Sequence, residues 1–292
     1  MSSPHLGWAY GFLGMAIFSG SLPATRIAVG AFDPLFLTFA RASIAGAVAL
    51  MLLLCIGGRR PALGELASLA LISGCVVVGF PLLTALALEQ VNAAHSLVFI
   101  GLLPMATALF GVLRAGDRPR PVFWLFSLCG GGVITLFALS QHGYGNGSGD
   151  LLMVGAVLVC GLGYAEGARL SRRLSGWRVI CWALVLALPV MLALTGLSRP
   201  SSFANIDIAA WGAMGYVSLF SMLIGFVFWY QGLAQGGVAA VGQLQLLQPF
   251  LGLGLAAWWL HESISLMMLV TCAIVVLCVA GAKRYAAPVA AR

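Results

Sequence analysis

The chain has 292 residues, of which 61% are hydrophobic and only 8% are Lys, Arg, Asp or Glu, and its mean hydropathy is +1.04. A water-soluble fold carries about a quarter of its residues as charge, so this composition excludes a solvated globular surface and points to lipid. The net charge of +7 is spread through short loops instead of being gathered with aromatics into a patch, which argues against a nucleic-acid partner.

Apolar runs long enough to cross a bilayer recur from end to end. Divided at charged residues, glycines and prolines, they predict helices over 6–29, 34–56, 64–87, 92–114, 121–140, 151–172, 177–196, 208–234, 238–260 and 264–283. The first stretch has neither a basic leader nor a small-residue cleavage site and reads as a retained span. Buried in lipid, the backbone must satisfy its own hydrogen bonds, and the alternation of a β-barrel is missing. The reading is an all-α membrane protein of ten transmembrane helices in a bacterial-type cytoplasmic (inner) membrane.

Orientation follows from the basic residues. Arg59, Arg60, Arg114, Arg118, Arg120, Arg169, Arg172, Arg173, Arg178, Lys283, Arg284 and Arg292 lie on one side, and Arg26 and Arg199 on the other. That places both termini in the cytoplasm, as an even number of spans requires. The seven cysteines all fall inside predicted spans and form no CxxC pair, so they read as packing residues, with no metal and no cofactor expected.

The chain also repeats itself. An offset of 145 lays Leu88–Asp117 on Leu233–Glu262, matching Ala94 with Ala239, Pro104 with Pro249, and Asp117 with Glu262. A shift of 141 pairs Gly14 and Gly20 with Gly155 and Gly161. Each half, 1–145 and 146–292, then holds five spans, and repeats with an odd span number insert in opposite orientations. Two inverted five-helix repeats predict a substrate site between the halves.

At these residues a resemblance appears. The run Pro34-Leu35-Phe36-Leu37-Thr38-Phe39-Ala40-Arg41 is similar to the EamA-type branch of the drug/metabolite transporter superfamily. So are the blocks Tyr230-Gln231-Gly232-Leu233, Leu246-Leu247-Gln248-Pro249 and Trp258-Trp259-Leu260-His261-Glu262. Asp117 departs from the pattern, standing where the family has Glu. The resemblance implies ten helices in two inverted repeats around a central cavity, and a small-molecule metabolite as substrate. Within the family the chain looks most like the YddG-like aromatic amino-acid exporters, which implies export of amino acids with aromatic or large apolar side chains.

Candidate site residues are polar or aromatic groups inside apolar helices. Phe80 and Thr84 share a face of the third span, His95 and Phe99 a face of the fourth, and Phe226, Trp229 and Tyr230 a face of the eighth. In the ninth, Gln243 is the carboxamide assigned to substrate, while Gln245 and Gln248 read as interhelical hydrogen bonds. These residues predict a site between spans three, four, eight and nine. Ser19 and Pro23 in the first span, with Pro104 and Pro249, are the candidate hinge or gating positions. Arg41 reads as a structural charge that snorkels or caps a helix.

Energy coupling turns on carboxylates. Only Glu166 lies well inside a predicted span, close to the arginines at its end, where an interfacial ion pair is expected. Without a mid-span carboxylate the simpler reading is a facilitator working by alternating access, with a proton-coupled drug or metabolite exporter as the rival. No HExxH motif or paired Asp cluster supports a membrane-embedded enzyme, so none is expected. The partners expected are substrate and lipid, around a monomer.

Overall fold

A span buried in lipid has nowhere to send its backbone N–H and C=O groups except along its own axis, and every described element is accordingly helical. The computed structural model describes residues 4–57, 59–115, 120–140, 147–236 and 241–285. The helices are α1 Pro4–Ser19, α2 Ser21–Val29, α3 Pro34–Ile56, α4 Leu63–Ile72, α5 Phe80–Gln90, α6 Ala93–Ile100 and α7 Leu103–Ala115. They continue as α8 Pro121–Ser140, α9 Gly147–Ser171, α10 Gly176–Leu197, α11 Ile208–Gly215, α12 Gly225–Gly236, α13 Gln248–Leu260 and α14 Leu266–Tyr285. Wide π-helical turns, Ser73–Gly79 and Tyr216–Ile224, join α4 to α5 and α11 to α12, and a 3₁₀ stretch, Gly242–Leu247, leads into α13.

Seven of the resulting rods are long and apolar enough to cross a membrane: 6–29, 34–56, 63–90, 93–113, 147–171, 176–197 and 208–233. Shorter apolar helices cover 121–134, 244–260 and 266–278. Large apolar side chains such as Leu54, Leu128, Trp258 and Leu277 stand outward on these helices, as a lipid-facing surface requires.

Local chemistry explains the boundaries. Asp33 Oδ1 accepts from the amides of Leu35 and Phe36 at 2.9 and 3.1 Å, and Pro34 starts α3 where its missing N–H costs nothing. Asn92 caps α6 by accepting from His95 N at 2.7 Å. Proline sets the breaks. Pro23 cannot donate to the Ser19 carbonyl, and the first rod turns at Gly20. Pro104 likewise leaves Ile100 O without its donor, and α6 ends there. Pro249 leaves Gln245 O to the amide of Gln248, the tighter bond that closes the 3₁₀ stretch.

The irregularities obey the repeat. The offset of 145 carries 73–79 onto 218–224, inside the second π-helical turn, and carries the break at 101–102 onto 246–247, the end of the 3₁₀ stretch. Packing obeys it too. α1 lies along α12, and in the mirror relation α9 lies along α4, the first π turn and α5. α3 packs on α10, and α8 on α14. The α1–α12 contact is backbone-close at Gly14, where a Cβ would stand 2.9 Å from Trp229 N. The repeat is not perfect, because α9 runs unbroken for 25 residues while its counterpart is split at Gly20.

Candidate functional site

Polar and aromatic side chains interrupt the aliphatic core in three places, and α9 takes part in two of them. The first is a ring cluster. Phe18 of α1, Tyr164 of α9 and Phe226 and Trp229 of α12 stack around one another, with ring centroids 4.8 Å (Phe18–Phe226), 5.7 Å (Tyr164–Phe226) and 6.0 Å (Tyr164–Trp229) apart. Offset and tilted rings at such spacings each contribute about 0.5–1.5 kcal/mol beyond their burial. Tyr230 extends the cluster to Phe226 at 5.4 Å and is wedged between helices: a Cβ on Gly167 would lie 2.3 Å from its hydroxyl. All five rings are buried. The indole Nε1 of Trp229 has no hydrogen-bond partner among the described residues.

The second is a polar pair. His95 Nε2 lies 2.6 Å from Asp150 Oδ1, with both residues buried. Phe99 and Phe137 flank the imidazole at 5.6 and 5.0 Å. Asp150 is hidden because the end of α5 covers the start of α9. Ser148 donates to Gln90 Oε1 at 2.5 Å, and Val91 crowds Gly149. The same end of α6 is tied to α13, since Glu262 accepts from the amides of Ala93 and Ala94 at 3.0 and 2.7 Å. A carboxylate on free N–H groups at a helix N-terminus is doubly favoured, by hydrogen bonding and by the helix dipole. Its repeat partner Asp117 lies outside the described residues.

The third surrounds Arg41, which does not snorkel. It is 5% exposed, and Nη2 donates to Val217 O at 3.0 Å and to Ser221 Oγ at 3.4 Å on the second π-helical turn. Ser221 in turn bonds Ser21 of α2 at 2.7 Å. A guanidinium has five N–H donors, and this one bridges α3 to the widened turn. No carboxylate pairs with it among the described residues. Glu166, by contrast, meets the expected ion pair, with Arg169 Nη2 at 2.5 Å.

The residues expected to form one site are thus spread over distinct walls. Phe226, Trp229 and Tyr230 are together, joined by Phe18 and Tyr164 of spans that the sequence reading left out. His95 and Phe99 are together on α6. Phe80 and Thr84 stand apart on α5, which packs on α9, α2 and α3. Thr84 Oγ1 donates to its own helix, to Phe80 O at 2.8 Å and Pro81 O at 3.0 Å. The side chain of Gln243 lies outside the described residues. Its neighbours Gln245 and Gln248 are buried, but Gln245 Nε2 and Gln248 Oε1 find no partner among the described residues, nor does Ser96 Oγ on α6. The interhelical hydrogen bonds expected of those two amides are not made at these atoms. A buried polar atom left unpaired costs about 1–3 kcal/mol, which makes such atoms places for a ligand. Ser19, Pro23, Pro104 and Pro249 all lie at or beside the helix breaks.

The pattern of the EamA-like transporter family matches the sequence twice, over residues 5–139 and 147–282. The chain belongs to the EamA-like transporter family. It is 59% identical, over 98% of its length and 100% of the relative's, to the Uncharacterized transporter YdeK of Bacillus subtilis. It is 24% identical, over 87% of its length and 85% of the relative's, to a protein of Streptantibioticus cattleyicolor named Probable terminal-alkyne amino-acid exporter. A crystal structure that is 22% identical superposes with a TM-score of 0.68, covering 96% of this chain and 97% of the other, and shares its fold. As a family member the chain is a multi-pass membrane transporter.

Proposed function

We propose that this transporter exports amino acids, with aromatic or large apolar side chains favoured, by alternating access between two inverted halves. In this reading ten spans divide into residues 1–145 and 146–292, and both termini face the cytoplasm because twelve basic residues lie on that side against two on the other. The observation that carries the reading is a cluster of buried rings that includes an unpaired polar atom, the indole Nε1 of Trp229. Phe18, Tyr164, Phe226 and Trp229 suit a planar or apolar side chain. Ser96, Gln245, Gln248 and the Trp229 indole offer donors and acceptors for α-amino and carboxylate groups. Phe80, Thr84, His95, Phe99, Tyr230 and Gln243 complete the proposed lining. The breaks beside Ser19, Pro23, Pro104 and Pro249 serve as hinges. The name of the Streptantibioticus relative supports an amino acid as cargo.

Transport down the substrate's own gradient is the simpler energetic reading. Coupling to protons is the rival, and the burial of Asp150 against His95 favours the rival. The test of substrate is counterflow in proteoliposomes with labelled Phe, Trp, Met and Thr at equal pH on both sides. Phe and Trp are expected to accumulate fastest, and Gln245→Ala and Trp229→Ala to slow them. Failure of every amino acid to move would refute the proposal.

A further inference from the structure

His95 and Asp150 form a buried titratable pair. Both sit in the first turn of their helices. An ionised carboxylate only accepts, so the ring nitrogen 2.6 Å from it, Nε2, carries the shared hydrogen. Nδ1 is then the position that takes up or gives back a second proton. With that proton the pair is a neutral imidazolium–carboxylate couple; without it a buried net charge of −1 remains. Burying an uncompensated charge is costly, so the loaded pair favours the closed contact and the unloaded pair favours access to water.

The surroundings leave α6 able to respond. It is an eight-residue block, cut from α7 at Gly101–Leu102, while α9 opposite is continuous. Each element packed on α6 carries charged or titratable groups. The segment just after α13 contributes Glu262, held by the amides of Ala93 and Ala94, and His261 beside it. α2 contributes Arg26, whose guanidinium donates to Leu88 O at the end of α5, and α5 contributes the exposed Glu89. α14 contributes Cys272 and Cys278 along its length and Arg284 and Tyr285 at its last turn, and α8, with Cys129, places Phe137 on the imidazole. Glu262 is already satisfied by two N–H groups, which leaves His95 as the cation facing Asp150.

We propose that His95 and Asp150 are a one-proton site that latches α6 to α9 and exchanges one proton for each substrate exported. The proton enters at Nδ1 from one side of the membrane, neutralises the pair, and leaves from Nδ1 to the other side. The proposal rests on the exporter reading for its cargo but not for its chemistry, and two measurements separate them. In nanodiscs with isotope-labelled histidine, the His95 signal, identified by its loss in His95→Gln, is expected to change with pH and to respond to Asp150→Asn. A signal that does not titrate makes the pair a fixed tie and overturns the proposal. In proteoliposomes carrying an internal pH dye, a phenylalanine gradient is expected to drive protons the opposite way. Asp150→Asn should keep equal-pH phenylalanine exchange and lose the proton movement. Wild-type exchange without proton movement, or an Asp150→Asn variant that still moves protons, would also overturn it. If His95 titrates and no amino acid moves at all, the cargo reading fails and the proton site stands on the titration.

Discussion

At its N-terminus α9 meets α6 through two polar atoms 2.6 Å apart, and 14 residues further on, about 21 Å along the axis, it meets α1 and α12 through the ring of Tyr164. The first contact is a hydrogen bond between an imidazole and a carboxylate, which the proposed latch would tighten or loosen with one proton. The second is made of ring surface, with centroids 4.8–6.3 Å apart, and has no group that titrates near neutrality. The first is borne by a short block beside a proline break, and the second by close helix packing around glycines. One helix therefore carries a polar contact at one end and a contact of packed rings further along.

Substitutions that change volume and substitutions that change charge should divide along this line. The largest effect is expected from Gly167→Val at the aromatic end. Even a Cβ would stand 2.3 Å from the Tyr230 hydroxyl, so α9 and α12 must separate, and size-exclusion chromatography should show little folded protein. Trp229→Ala, which leaves a cavity, should lower stability by about 3–5 kcal/mol. Its thermal midpoint should fall by the same amount at pH 5.5 and 7.5. At the polar end, Glu262→Ala should weaken the cap on α6 by about 0.5–2 kcal/mol. Glu262→Gln should lose less, since one acceptor remains. Increased hydrogen exchange confined to 93–100 would mark that effect. The smallest is Tyr230→Phe, because the hydroxyl reaches Gly163 O only at 3.5 Å, and its thermal midpoint should match wild type.

Much of this architecture could be read from residues alone. The matched prolines, Pro104 and Pro249, announced both the repeat and the places where helices break, because a missing N–H acts wherever the helix stands. The π-helical turns were hidden, since no residue type marks a widened turn. Asp150 was overlooked because it fell just before a predicted span, where a carboxylate normally meets water. Its burial comes from Gln90 and Val91, which sequence separation conceals. Arg41 was read as a structural charge that snorkels or caps a helix; it stays buried, and the π-helical turn of a distant span supplies its acceptors. The aromatic residues of α12 were recognisable by spacing, but their partners Phe18 and Tyr164 depend on helix rotation, which apolar sequence does not specify.

The central claim, that the two halves alternate in opening to the two sides of the membrane, can be tested by distance. Among the cysteines only Cys55 and Cys129 are exposed, so replacing these leaves a background fit for spin labelling. One labelled pair, at Ala31 and Ser201, reports the end near the 30–33 and 198–207 loops, and another, at Arg59 and Arg173, the opposite end; all four positions are exposed. Pulsed spin-resonance distances should shift in opposite directions at the two ends when phenylalanine is added. Distances that stay fixed at both ends, or lengthen together, would contradict alternating access.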